Sequence, residues 1–141
     1  MPMSDIRDVV LAFVDDVLNQ GHIDATDRYF WDDVVEQVPF PGQGAGIDGL
    51  KAVLRGMRAA FPDMHWRIDE QLVEGDRVLT RFEWTGTHRG DFLGVPATGR
   101  PVRVWGMVID RVDRGRIRQT RLLMDTLGMM VQLGVVPPPG Q

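Results

Sequence analysis

The chain has 141 residues, of which 43% are apolar; that is enough for one domain with a real core, and it excludes both a disordered chain and a two-domain protein. Sixteen lysines and arginines stand against 20 aspartates and glutamates, a net charge of −4 with no basic run, so no cationic stripe exists to displace phosphate counterions and a nucleic-acid partner is not expected. Cysteine is absent, which removes disulfides, thiolate metal sites and cysteine nucleophiles, and no run approaches the roughly 18 apolar residues of a membrane span.

The opening Met-Pro-Met-Ser-Asp, acidic by Asp8, has neither signal-peptide nor transit-peptide character. A cytoplasmic protein with no membrane partner is the expectation. Ile6, Val9, Val10, Phe13, Val14, Val17 and Leu18 recur at spacings of three and four and predict a first helix. Ser4 or Asp5 would cap it and Gly21 would end it. A short second helix is expected over 24–30, with Tyr29, Phe30 and Trp31 packing inward. A strand over 34–38 stops at Pro39 and Pro41, and a third helix over 48–61 buries Leu50, Val53, Leu54, Met57 and Phe61 behind an Asp48 cap.

After Pro62 the period changes to two. Met64, Trp66 and Ile68 alternate with polar neighbours, Glu74-Gly75-Asp76 turns the chain, and strands are predicted over 77–87, 101–112 and 116–124. Asp113-Arg114-Gly115 joins the last two. A final helix over 126–133 ends at Gly134, and Pro137-Pro138-Pro139 is extended. Helices first and hairpins afterwards indicate a single α+β domain over 1–141, its ordered core about 5–135, with helices packed on one face of an antiparallel sheet.

Alternation divides the strands into two sets. The odd-numbered set contains Leu79, Arg81, Glu83, Arg103, Trp105, Met107, Ile109, Gln119, Arg121, Leu123 and Asp125. The even-numbered set contains Val78, Thr80, Phe82, Trp84, Val102, Val104, Val108, Thr120, Leu122 and Met124. Both are largely apolar, so both should be covered. Helices cover one, and a second copy of the chain is the expected cover of the other, giving a homodimer through the outer sheet face. The odd-numbered set mixes apolar walls with Arg81, Glu83, Arg121 and Asp125. Two readings of it stand: a small-molecule pocket, or an ion-pair network.

Gly44-Ala45-Gly46-Ile47-Asp48-Gly49 spells the dinucleotide fingerprint, but a chain of hairpins lacks the parallel strands and helical crossovers that fold requires. The glycines are read instead as a mobile loop at a pocket rim. His22, His65 and His88 have no ligand spacing, so neither a metal nor a cofactor is expected. His22 reads as a solvated loop residue, and one of His65 and Trp66 must face outward. His88 begins a long loop of the kind that forms lids and rims. Ser4 is the only serine and has no nucleophile motif around it.

The segment Gly86-Thr-His-Arg-Gly-Asp-Phe-Leu-Gly-Val-Pro-Ala-Thr-Gly-Arg100 resembles the SnoaL-like polyketide cyclases. So do Val102-Arg-Val-Trp-Gly106, Asp113-Arg-Gly-Arg-Ile117 and Asp125-Thr-Leu-Gly-Met-Met-Val-Gln-Leu-Gly134, together with Phe61-Pro-Asp63 and Glu74-Gly-Asp-Arg-Val78. The resemblance implies the nuclear-transport-factor-2-like cone, a curved antiparallel sheet closed by helices around one deep pocket. It also implies ring closure by intramolecular aldol addition without a cofactor, with Asp125 as the acid/base residue. Arg121 and Gln37 stand where many relatives carry tryptophan and histidine.

Arg81-Phe-Glu83 with Asp125 is also similar to the catalytic set of limonene-type epoxide hydrolases, with Gln37-Val-Pro-Phe-Pro41 near their water-holding segment. That likeness implies water activation by Asp125, epoxide protonation by Glu83 and Arg81 between them. The substrate-binding candidates are Gln37, Phe40, His88, Phe92, Trp105, Met107, Arg121 and Leu123, around an apolar small molecule. Three functions follow: cyclisation or isomerisation by acid/base chemistry, epoxide opening, or binding without reaction. Whether Glu83 and Asp125 share one pocket separates them; if neither faces a cavity, binding is the expectation.

Overall fold

The computed structural model describes residues 5–140. Asp5 caps helix α1 (Ile6–Phe13), its carboxylate accepting from Arg7 N–H at 3.0 Å; Ser4 lies outside the described residues. The apolar stripe expected to run as one α-helix to Leu18 changes pitch at Val14. Val14–Asn19 is a π-helical segment that buries Val14, Val17 and Leu18. The wider turn brings Asn19 against Trp66, whose backbone N–H donates to Asn19 Oδ1 at 2.7 Å while Asn19 Nδ2 donates to the Trp66 carbonyl at 3.0 Å.

The second helix is one 3-10 segment, Ile23–Arg28. His22 is exposed, its Nδ1 2.7 Å from Asp16 Oδ1. Strand β1 (Phe30–Glu36) begins four residues earlier than the sequence suggested. Phe30 packs inward, but Trp31 does not: its indole N–H donates to the Asp113 carbonyl at 2.8 Å and the Arg116 guanidinium lies 4.7 Å from its ring centroid. Helix α2 (Gly46–Ala60) starts at an Ala45 cap, with Asp48 in its first turn and making no cap bond.

The remaining elements follow the expected alternation. They are β2 (His65–Glu74), β3 (Arg77–Thr87), β4 (Pro101–Asp113), β5 (Arg116–Met124) and α3 (Thr126–Gln132). Sheet order is β1-β5-β4-β3-β2. The last four strands are antiparallel, as predicted, but β1 pairs with β5 in parallel, so the α+β sheet is mixed. The reason is connectivity. β1 belongs to the helical half of the chain and reaches the far edge of the sheet, beside β5, by way of α2 and three hairpin-joined strands.

The core lies between the helices and the even-numbered face: Val78, Phe82, Trp84, Val102, Val104 and Ile117 meet Val10, Val17, Leu54 and Met57, all buried. Trp66 is buried and His65 exposed. No helix covers the odd-numbered face, where Leu72, Trp105, Met107 and Leu123 stay exposed in the single chain. Among the described residues no helix is long and apolar enough to cross a membrane.

Candidate active site

The even-numbered sheet face and the first two helices enclose a cavity of about 90 Å³. Val10, Phe13, Leu54, Met57, Phe82 and Val108 supply apolar wall. Its polar lining is short: Glu36, Gln43, Thr80, Asp110 and Thr120, with Trp66 presenting an indole in the wall. Apolar walls around a few convergent polar groups are the usual make-up of a small-molecule site.

Three of those groups sit in one row of the sheet. Asp110 on β4 is the cross-strand partner of Thr120 on β5, and Thr120 is the partner of Glu36 on β1. Two carboxyls therefore flank one hydroxyl across three neighbouring strands, about 10 Å apart at Cα given a strand spacing of about 4.8 Å. On the far side of Asp110 the row continues with buried Val78. Asp110 is buried, 3% exposed. Among the described residues no cation pairs with it, and burial pushes its carboxyl up to about 7; a hydrogen bond with Thr120 opposes the rise and the nearby Glu36 charge adds to it. Burial also raises Glu36, against backbone hydrogen bonds, one of them from Val38 N–H at 2.9 Å.

The strand residues expected at the site from the sequence lie on the other face of the sheet, away from this cavity. Arg81, Glu83, Trp105, Met107, Arg121, Leu123 and Asp125 all lie outside the cavity lining. Glu83 is held by Arg67 at 3.3 Å and Arg103 at 3.7 Å, and Arg81 faces Glu70 at 3.7 Å. This is the ion-pair network that formed the alternative reading of that face. Arg121 donates through Nε to Gln37 Oε1 at 2.7 Å, both exposed.

Asp125 caps α3, accepting from Gly128 N–H at 2.9 Å. Neither Glu83 nor Asp125 lines this cavity. His88 is buried under its own loop, stacked on Phe61 at 5.4 Å, its Nδ1 accepting from Thr98 N–H at 3.2 Å; it does not reach the cavity. Phe40 does line it, and Phe92 supports Phe40 from behind, ring centroids 6.2 Å apart.

The signal that finds Asp110 is a negative one. In Val102, Val104, Gly106, Val108, Asp110 and Val112 a single acid interrupts an apolar register, and a lone carboxyl there has no partner to neutralise it. Glu36 stands two residues after buried Val34 on β1, in a register that also holds the exposed Asp32. The fingerprint glycines have a packing cause: a Cβ at Gly49 would stand 1.8 Å from the Gly44 carbonyl oxygen, so the loop folds directly onto the start of α2. Among the described residues no cluster of three or more histidine, aspartate or glutamate side chains is arranged to hold a metal.

Comparison with known proteins agrees with this architecture. The family model described as SnoaL-like polyketide cyclase matches residues 8–133. Among solved structures, TsrD from Streptomyces laurentii superposes with a TM-score of 0.87 at 27% identity, covering 96% of this chain and 99% of that one. IdmH from Streptomyces antibioticus, a candidate polyketide cyclase, superposes at 0.80 and 29% identity, covering 93% and 99%. A candidate polyketide cyclase from Acidithiobacillus ferrooxidans gives 0.80 at 28%, covering 95% and 98%. No curated protein matches the chain significantly. With the family pattern running from α1 to the end of α3 around an apolar cavity, this chain belongs to the SnoaL-like polyketide cyclases.

Proposed function

We propose that the chain catalyses a cyclisation or isomerisation of an apolar, polyketide-like carbonyl compound by acid/base chemistry, with Asp110 rather than Asp125 as the proton carrier. The observation that carries this reading is the row Glu36–Thr120–Asp110 inside an otherwise apolar cavity. A carboxyl raised to about 7 is half ionised near neutral pH, so it can accept a proton and return it within one turnover.

In the proposed reaction the ionised Asp110 takes a proton from the carbon next to a carbonyl. The resulting enolate attacks a second carbonyl of the same molecule, and the protonated Asp110 gives its proton to the new alkoxide. Thr120 holds the carboxyl in place, and Glu36, close by and also raised by burial, keeps Asp110 a stronger base than it would be alone. The positions of Glu83 and Asp125, neither of which faces the cavity, would by themselves favour binding without reaction. The cavity's own carboxyls favour chemistry instead: a carrier of apolar molecules gains nothing from a buried Asp110 that costs stability, with half-buried Glu36 beside it.

The test is a product assay by mass spectrometry on poly-β-ketone esters and small cyclic epoxides, with wild type, Asp110→Asn and Asp125→Asn. A mass-neutral ring closure lost in Asp110→Asn and retained in Asp125→Asn supports the proposal. Loss in Asp125→Asn alone overturns the assignment. Gain of water on an epoxide, lost in Asp110→Asn, moves the same carboxyl pair to epoxide opening.

A further inference from the structure

The rim of the cavity is a built turn. Phe40-Pro41-Gly42-Gln43 closes with Gln43 N–H donating to the Phe40 carbonyl at 2.9 Å. Proline stands second and Gly42 third at φ +80°, the residue order of a type II turn, whose third position favours glycine. The Gln43 side chain closes the same turn again: Phe40 N–H donates to Gln43 Oε1 at 3.1 Å. That bond fixes which way the amide points. Its oxygen is used by the turn, and its Nε2 has no protein acceptor among the described residues.

Gln43 also stands at a junction. With Glu36, Leu50 and Thr120 it lines both the enclosed cavity of about 90 Å³ and an open groove of about 500 Å³ between the end of β1 and the start of α2. It is the only amide side chain on the cavity wall among the described residues. A molecule larger than the enclosed space must cross this junction, beside Glu36 and Thr120, and leave its remainder in the groove. The groove is lined by the Glu36 carboxylate, by Asp33, whose carboxylate is paired with Arg118, and by no cationic side chain among the described residues.

We propose that Gln43 Nε2 donates a hydrogen bond to the carbonyl oxygen of the reacting unit of the substrate. The substrate is then a neutral carbonyl compound whose apolar body fills the cavity and whose remainder, an ester or amide but not a free carboxylate, lies in the groove. The inference rests on the acid/base reading above and adds a residue to it. When the C–H bond next to the carbonyl breaks, its proton bonds to an Asp110 oxygen. The electron pair moves into the new C=C bond and onto the carbonyl oxygen. A donor aimed at that oxygen strengthens as the charge develops, and the doubly closed turn holds the amide in place before the reaction begins.

Binding of two compact probes tests this apart from turnover. 1-Indanone and indane share one carbon skeleton and differ by a carbonyl oxygen, and titration calorimetry reports the binding of each. At pH 9 Asp110 is ionised, being raised only to about 7, and cannot donate to the ketone. Wild type is expected to prefer 1-indanone by about 2- to 12-fold, the worth of one net hydrogen bond. Gln43→Met should bring that ratio to about one with indane affinity unchanged. Gln43→Glu, which keeps an oxygen for Phe40 N–H and so preserves the turn, should lose the preference too.

A ratio unchanged in both variants overturns the proposal, as does equal affinity of wild type for the two probes. An intact ratio in a protein that makes no product sinks the acid/base reading and leaves the donor standing. Turnover that depends on Asp110 with a ratio insensitive to Gln43 does the reverse.

Discussion

The two faces of the sheet both carry polar groups and use them in opposite ways. On the outer face charges meet charges: Arg67 and Arg103 surround Glu83, Arg81 faces Glu70, and Arg111 lies 3.6 Å from Asp76. Half-exposed pairs of that kind contribute little to stability. On the inner face Asp110 and Glu36 have no cation between them, only Thr120. Abundance of charge therefore marks the surface here, and a carboxyl without a counter-charge marks the interior proposed as the site.

The largest expected effect separates the faces directly. Asp110→Asn should lower turnover by about 10²- to 10⁴-fold, the usual worth of a general base, whereas Glu83→Gln and Asp125→Asn should stay within a few-fold of wild type. A comparable loss in Glu83→Gln would erase the distinction between the two faces.

The pH dependence comes next. Asp110 has its pKa raised from 3.8 to about 7 in the folded state, so between those values the folded chain binds a proton that the unfolded chain has released. Stability then falls as pH rises from about 4 to about 7 and levels off above, by at most about 4 kcal/mol. Urea unfolding at pH 5 and pH 8 should show wild type weaker at pH 8, and Asp110→Asn should remove most of that difference. Catalysis runs the other way: kcat/KM should rise through about pH 7 as the base ionises.

The outer face gives a third contrast. Leu72 and Leu123 are 63% and 64% exposed, and the stripe Leu72–Leu79–Ile109 continues into Met107–Leu123 on the register of the strands. Two copies related by a twofold axis can bury this stripe against itself as a shared apolar centre. The proposal is a homodimer through this face. Sedimentation of wild type should give twice 15.9 kDa, and Leu123→Glu the monomer with its fold intact; a wild-type monomer at high micromolar concentration would end the idea.

The smallest effect belongs to Asp125. Its replacement by alanine removes only the α3 cap, for about 1 kcal/mol in thermal or urea unfolding.

Periodicity made the hairpin half of the fold legible almost to the residue, because β3 alternates without a break and Gly75 and Gly115 mark the turns. It was weaker where tertiary packing overrides local preference. The apolar stripe through Val14 and Leu18 says helix, but only the demand of Trp66 for Asn19 turns that stretch into a wider pitch. Alternation also assigns residues to two faces without saying which one meets the helices. The odd-numbered set attracted the functional reading through Arg81, Glu83 and Asp125, while Asp110 passed as one more member of an apolar strand. The parallel docking of β1 on β5 joins segments more than eighty residues apart, beyond any local pattern.

That parallel pairing has a consequence for how the site comes into being. Asp110 and Thr120 belong to one hairpin and meet as soon as β4 and β5 zip together, closing a short loop. Glu36 joins them only when β1 crosses the whole chain to pair Phe30 with Ile117, a closure that carries a larger entropic cost and belongs to the slow, non-local part of folding. The carboxyl pair is therefore assembled last, by the contact that completes the domain. A chain interrupted before β5 has no strand on which β1 can pair, so Glu36 is not brought beside Asp110.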